Sequence, residues 1–233
     1  MADGMVCPRC GGQTFSNSRV LWPDLIRTWG LSPYEVSYIN RQQGTCCVSC
    51  GSSLRVLALV KALLHEYHLT EPFDSSVLAL TNLRILEINQ AGNLTSTLQK
   101  LPGHVLVEYP DVDMQSMPWG DGSFDLIVHS DTLEHVPDSS QALRECERLL
   151  RRGGAMCFTA PIIIGRLSQY RQGLEPSYHG GEVANSPDLL VHSEFGADIW
   201  AIVLGAGFVS CTITALELPS AIALTAHKES RRG

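Results

Sequence analysis

The chain has 233 residues, 44% hydrophobic and 18% charged, enough for one full-sized domain with a packed core plus a small module. Its formal net charge is −7 and lysine occurs only at Lys61, Lys100 and Lys228, so the clustered positive charge that phosphate-backbone binding requires is missing and nucleic acid is a poor candidate partner. No apolar run reaches the roughly 18 residues of a membrane span, and the opening "MADGMVCPRC" lacks the basic and apolar regions of a secretory signal, which predicts a cytoplasmic protein with no membrane partner.

Five of the eight cysteines lie in the first fifty residues, as "CPRCGG" and "CCVSCGS". Two CxxC pairs, each followed by glycine, match the tight turns that aim two thiolates at one metal ion. Cys7, Cys10, Cys47 and Cys50 therefore predict a tetrahedral sulfur site for Zn2+. Cys46 is an alternative to Cys47 with shifted spacing, and the CxxC-Gly match favours Cys47. Four thiolates leave no open position, so this zinc is read as structural. Thirty-six residues separate Cys10 from Cys47, more than a plain ribbon needs. Helices fill the interval: "WPDLIRTWG" has Pro23 early and Gly30 late, and "SPYEVSYINRQQG" has Ser32 as N-cap, Pro33 at the first helical position and Glu35 three residues after the cap. This gives a zinc-ribbon-like module with a helical insertion over residues 1–51. "SSLRVLALVKALLHEYHL" follows as a helix capped by Ser52 or Ser53, read as a connector over 52–70. His65 and His68 near its end are read as a solvated helix terminus.

From residue 71 a second domain runs to 233, and from residue 83 its pattern alternates strands ("LRILEI", "HVLVEY", "FDLIVHS", "GAMCFTA") with helices ("LTSTLQKL", "SSQALRECERLL"). After an irregular stretch come a helix ("FGADIWAIVLGAG") and two adjacent strands ("FVSCTITAL", "SAIALTAHK"). Such alternation implies an α/β fold with right-handed crossovers, a mostly parallel sheet and a ligand outside the carboxyl ends of its strands. The closing pair of strands adds one antiparallel edge.

The stretch "LPGHVLVEYPDVDMQSMPWGDGSFDLIVHSDTLEHVPDSSQALRECERLLRRGGAMCFTAP" resembles the class I S-adenosylmethionine-dependent methyltransferases, the type-11 group in particular. The shared features are an acidic residue before an L-P-F-like segment, a D-x-S-F-D turn into the fourth strand, L-E-H-V, and a helix ending before a glycine pair. The resemblance implies a Rossmann-like sheet, S-adenosylmethionine as cofactor and S-adenosylhomocysteine as product.

The family's first motif is E-x-G-x-G-x-G, and "EINQAGN" places Asn89, Ala91 and Asn93 at the three glycine positions, with Gly92 out of register. Asparagine tolerates the left-handed region best after glycine, and alanine has the smallest side chain with a Cβ, so the turn stays feasible. The resemblance assigns Glu87, at the end of the first strand, to holding the amino-acid end of the cofactor through this turn. Glu108, at the end of the second strand, has acceptor geometry suited to ribose hydroxyls, with Tyr109 beside it. Asp113 matches the position that meets the adenine amine, with Met114 and Met117 as apolar lining. Only a short link separates Glu108 from Asp113, where the family has a helix and most of a strand, so the third strand is in doubt.

Beyond the fourth strand, His129, Ser130 and Asp131 fall near the expected transfer site. His129, with an ordinary imidazole pKa near 6.5, is a candidate general base, with Asp131 beside it and Ser130 on the cofactor side. Glu134 and His135 of L-E-H-V are read as structural or cofactor-side. A stretch rich in glycine, serine and proline over about 162–196 is read as a substrate lid, with His179 as a second candidate base and Arg166 and Arg171 as candidate anion binders. Methyl transfer from a sulfonium is an in-line displacement that needs orientation more than a nucleophilic side chain. The reading is O- or N-methylation of a small-molecule acceptor, a sugar or natural product. A ribosomal RNA methyltransferase and a non-catalytic binding protein on the same fold are the alternatives.

Overall fold

The two cysteine knuckles are joined by a short hairpin that holds the helical insertion. In the computed structural model, which describes residues 4–178 and 187–229, β1 (Phe15–Asn17) pairs antiparallel with β2 (Thr45–Cys47), Phe15 opposite Cys47. Between them lie α1 (Pro23–Thr28) and α2 (Pro33–Gly44). Both begin on proline, whose missing amide hydrogen has no role at that position. Ser32 and Glu35 close a reciprocal capping box: the Glu35 amide donates to Ser32 Oγ, and the Ser32 amide donates to Glu35 Oε2 at 2.7 Å.

Ser53 caps α3 (Leu54–Glu66). This helix is more than a connector. Leu54, Leu57, Ala58 and Ala62 pack with Ala221 and Ala223, and Val56, Leu59, Val60 and Leu63 pack with Ile85, Leu126, Val128 and Cys157. An apolar surface this wide lays α3 along the main sheet.

The rest of the chain runs α4 (Phe73–Ser76), β3 (Ile85–Ile88), α5 (Thr95–Leu98), β4 (His104–Val107), β5 (Phe124–Ser130), α6 (Ser139–Leu149), β6 (Leu150–Thr159), β7 (Ile162–Ile163), β8 (Gln169–Tyr170), β9 (Ser193–Gly196), α7 (Ile199–Gly205), β10 (Ser210–Glu217) and β11 (Ala221–His227). The main sheet has the order β10-β11-β6-β5-β3-β4. The last four strands in that order are parallel, and β11 runs antiparallel to both neighbours, one place in from the β10 edge. Leu143, Cys146 and Leu149 of α6 and Ile199 and Val203 of α7 close the face opposite α3. The result is the Rossmann-like arrangement expected of a class I methyltransferase. At the far edge the sheet stops at β4, and residues 108–117 form turns without a strand, as the short link between Glu108 and Asp113 suggests.

Two elements differ from the sequence reading. The helix expected over "LTSTLQKL" is one turn of α5 after a single 3-10 turn. Thr95 and Thr97 are β-branched and spend their hydroxyls on Glu87 and Asp74, which favours a short, locally tied helix. The stretch read as irregular carries a small sheet of order β7-β9-β8, whose strands are too short to show alternation. His179 lies outside the described residues. Among those residues no helix is long and apolar enough to cross a membrane.

Candidate functional site

The turn after β3 is braced from behind. Glu87 is wholly buried: its Oε1 accepts from the Ala91 amide at 2.8 Å and from Thr95 Oγ1 at 2.6 Å, and its Oε2 lies 2.7 Å from His104 Nε2. Asn89 and Gly92 take the left-handed conformation, with φ of 52° and 58°. Asparagine and glycine are the residues that carry such angles at least cost. The Asn89 amide donates to Val107 O at 2.7 Å, and Asn89 Oδ1 accepts from the Tyr109 amide at 3.0 Å, so the ends of β3 and β4 are held together. Ala91 is buried, and a Cβ on Gly92 would come within 3.0 Å of Val56 Cγ2.

Outside the carboxyl ends of β3, β4 and β5 lies a cleft of about 450 Å³. Six of the residues singled out from sequence border it: Asn89, Glu108, Tyr109, Asp113, Met114 and Ser130. Asp131 borders it too, whereas Glu87, Ala91 and Gly92 build the turn behind it. Gln90 Nε2 donates to Glu108 Oε1 at 3.1 Å, and Asp113 Oδ1 accepts from the Gln115 amide at 2.8 Å. Both glutamines border the cleft and were not foreseen. Met117 belongs to the core under α6.

His129 requires a correction. Successive strand residues face opposite sides, and His129 falls with Ile127 on the α6 face. It is wholly buried, stacked on Phe158 at 4.8 Å, and neither ring nitrogen has a hydrogen-bond partner. Burial pushes its pKa down to about 3, so it is a neutral packing residue and does not reach the cleft. Asp131 stands at the turn beyond β5 with φ of 47°. Its carboxylate pairs with Arg55 Nη1 and accepts from Gln43 Nε2 at 3.2 Å.

A second cavity of about 630 Å³ opens between the helical insertion, β7 and the end of β5. Leu21, Trp22, Leu25, Trp29, Ile162 and Ile163 line it. Its polar end holds Arg55, Asp131 and Glu134, and Asp131, His135 and Leu189 border both this cavity and the cleft. Glu134 is 1% exposed, and neither carboxylate oxygen has a hydrogen-bond partner. His135 Nε2 lies 3.6 Å from its Oε1. Desolvation raises the Glu134 pKa to about 7 and lowers that of Arg55 to about 10. Arg55 carries a sequence signal that was passed over: it is a single cation in the apolar run "LRVLALV".

The arginines of the lid are struts. Arg166 forks onto Glu35 at 2.7 and 3.0 Å and donates to the carbonyls of Trp29 and Gly30, both at 2.9 Å. These bonds hold the Glu35 carboxyl at about 2. Arg171 pairs with Glu194 and donates to Glu175 O at 2.7 Å. Arg171 Nε is buried without a hydrogen-bond partner, and neither arginine borders the cleft or the apolar cavity.

Cys7, Cys10, Cys47 and Cys50 converge, with all four sulfurs within 4.8 Å of one another. Cys7 to Cys50 and Cys10 to Cys47 are each 3.7 Å apart, close to the edge of about 3.8 Å of a tetrahedron with metal–sulfur arms of about 2.3 Å. Disulfides, at about 2.05 Å, do not fit. Cys46 points away, its sulfur near Gln43 O at 3.9 Å.

Residues 48–158 match the family described as a methyltransferase domain. Among curated relatives, the sarcosine/dimethylglycine N-methyltransferase of Halorhodospira halochloris is 42% identical over 57 residues, 24% of this chain and 20% of that protein. The ubiquinone biosynthesis O-methyltransferase of Ralstonia nicotianae is 28% identical over 87 residues, 37% of each chain. The chain thus spans well under half the length of the curated relatives it matches. Among solved structures, a SAM-dependent methyltransferase of Thermotoga maritima aligns at 14% identity with a TM-score of 0.42, covering 76% of this chain and 98% of that one.

Proposed function

From the premise that residues 48–158 are a methyltransferase domain, we propose that the chain methylates a hydroxyl or amine of a small apolar acceptor, using S-adenosylmethionine and releasing S-adenosylhomocysteine. One observation carries the reading: a polar cleft at the strand ends and an apolar cavity meet at Asp131, His135 and Leu189, which puts donor and acceptor sites side by side.

When bound, the cofactor supplies an electrophilic methyl group on a sulfonium. Glu108 would offer acceptor oxygens to the cofactor's ribose diol and Asp113 would accept from its adenine amine, with Met114 and Tyr109 as apolar surface. Asn89, Ala91 and Gly92, braced by Glu87, shape the turn that would hold its amino-acid end, and Ser130 borders the same cleft. Proximity of the two sites supplies the main rate effect expected of an in-line displacement. Asp131, anchored by Arg55, fixes the corner between the sites. The tryptophan and aliphatic lining favours a hydrophobic natural product over a sugar, because sugar hydroxyls would lose water without gaining partners there.

The domain division fits this reading. Residues 1–51 form the cysteine module, with Cys7, Cys10, Cys47 and Cys50 holding a structural Zn2+. Residues 52–70 lead into the methyltransferase domain over 71–233, in which Ile162, Ile163 and Leu189 border the acceptor side. The sarcosine/dimethylglycine and ubiquinone-biosynthesis relatives are named for small-molecule methylation. Incubation with methyl-labelled S-adenosylmethionine and matched panels of apolar phenols, apolar amines and sugars tests the proposal. Label is expected in an apolar acceptor, and transfer to sugars alone would overturn the acceptor class.

A further inference from the structure

The apolar cavity has one feature that its lining does not explain. Glu134 is buried at its inner end with both carboxylate oxygens unpartnered, and Asp131 Oδ1 beside it is also buried without a partner. Arg55 is the nearby cation: its Nη1 is engaged by Asp131, and its Nε is buried without a hydrogen-bond partner, so it makes no hydrogen bond to Glu134. A buried carboxylate that accepts no hydrogen bond costs several kcal/mol, the His135 contact at 3.6 Å being too long to be one, and this group faces a cavity large enough for a ring-containing molecule.

We infer that the cavity binds an apolar ring compound bearing a hydrogen-bond donor, a hydroxyl or an amine, which donates to Glu134 while its ring lies among Trp22, Trp29 and Ile162. This deepens the methyl-transfer reading by naming the acceptor class and rests on it for biological meaning, although the binding itself does not need the cofactor. The charge balance argues the same way. With one cation already paired to Asp131 and Glu134 beside it, the polar end has no cation to spare for an anion and suits a neutral or cationic donor. The raised pKa of Glu134 shows how strongly burial presses on it while it lacks a donor. The groups facing Glu134 are Arg55 from α3, Asp131 from the turn after β5 and His135 from its own turn.

The test uses 2-naphthol, 2-methoxynaphthalene and 2-naphthoate as probes, with tryptophan fluorescence and calorimetry as readouts on the full chain without cofactor. Above the Glu134 pKa of about 7, where its carboxylate is ionised, a hydrogen bond to it corresponds to about tenfold or more in affinity. Wild-type protein is therefore expected to bind 2-naphthol at least about tenfold tighter than 2-methoxynaphthalene, and 2-naphthoate most weakly. Glu134→Leu should abolish the preference for the hydroxyl while binding S-adenosylhomocysteine as the wild type does, because Glu134 does not border the cleft. Trp22→Ala, at the open side of the cavity, should weaken all three probes together. Equal binding of naphthol and its methyl ether, or tightest binding of naphthoate, would overturn the inference. Failure of S-adenosylhomocysteine to bind would sink the methyl-transfer reading and leave the probe result to stand by itself.

Discussion

The side-chain amide of Asn93 donates a hydrogen bond to the backbone carbonyl of Cys50 at 2.8 Å. Its oxygen accepts from Ser52 Oγ at 2.9 Å, so the residue at the third glycine position of the family motif ties the turn after β3 to the second cysteine knuckle. The first knuckle reaches the same region through Arg9, which donates to Ser52 Oγ at 2.9 Å, Thr97 Oγ1 at 3.1 Å and Asp74 Oδ1 at 3.2 Å. The altered motif is thus a docking surface for the cysteine module.

Restoring the motif should therefore weaken the site. Asn93→Gly is expected to lower S-adenosylhomocysteine affinity about threefold to tenfold and stability by about 1 kcal/mol, the scale of one or two lost hydrogen bonds. Calorimetry and urea unfolding check both values. Tighter binding in the variant would show that the substitution is a defect.

Metal removal should act at a distance. A structural zinc contributes its binding energy to folding, and both knuckles lean on the turn, so chelation is expected to lower the midpoint of thermal unfolding and S-adenosylhomocysteine affinity together. Zinc analysis before and after, with calorimetry, reads the effect. Unchanged affinity in stripped, folded protein would separate the module from the cleft.

Glu134 gives stability a pH signature. Its folded pKa of about 7 lies above the unfolded value of about 4.3, so the folded state holds the extra proton. The contribution is fully present below about pH 4.3 and is lost as pH rises through 7, by up to about 4 kcal/mol. Urea unfolding from pH 5 to 8 should show a steeper decline for wild type than for Glu134→Gln.

His129 has the opposite signature. Its folded pKa near 3 lies below the unfolded 6.5, so its contribution is present above about pH 6.5 and is lost as pH falls toward 3. His129→Leu should resist acid better than wild type and keep cofactor affinity within about twofold, because His129 is buried among core side chains and does not border the cleft. A large loss of binding would reinstate His129 at the site.

Much of the fold was legible because its signals are local. Pro33 with the Ser32/Glu35 box marked α2, the apolar run from Leu54 marked α3, and "FDLIVHS" coincides with β5. The knuckle cysteines were legible for the same reason, since CxxC-Gly encodes a turn. The apolar cavity was not legible, because it forms where Trp22 and Trp29 of the insertion meet Ile162 of β7 across the chain. His129 was misread because adjacency to the transfer site in sequence says nothing of which sheet face a side chain takes.

The most direct test is calorimetric titration of S-adenosylhomocysteine into wild-type protein and Glu108→Ala. Micromolar binding by wild type, weakened at least about tenfold in the variant as for a lost charged hydrogen bond, is the predicted result. No binding by wild type, or equal binding by the two proteins, would contradict a cofactor cleft at the ends of β3 and β4.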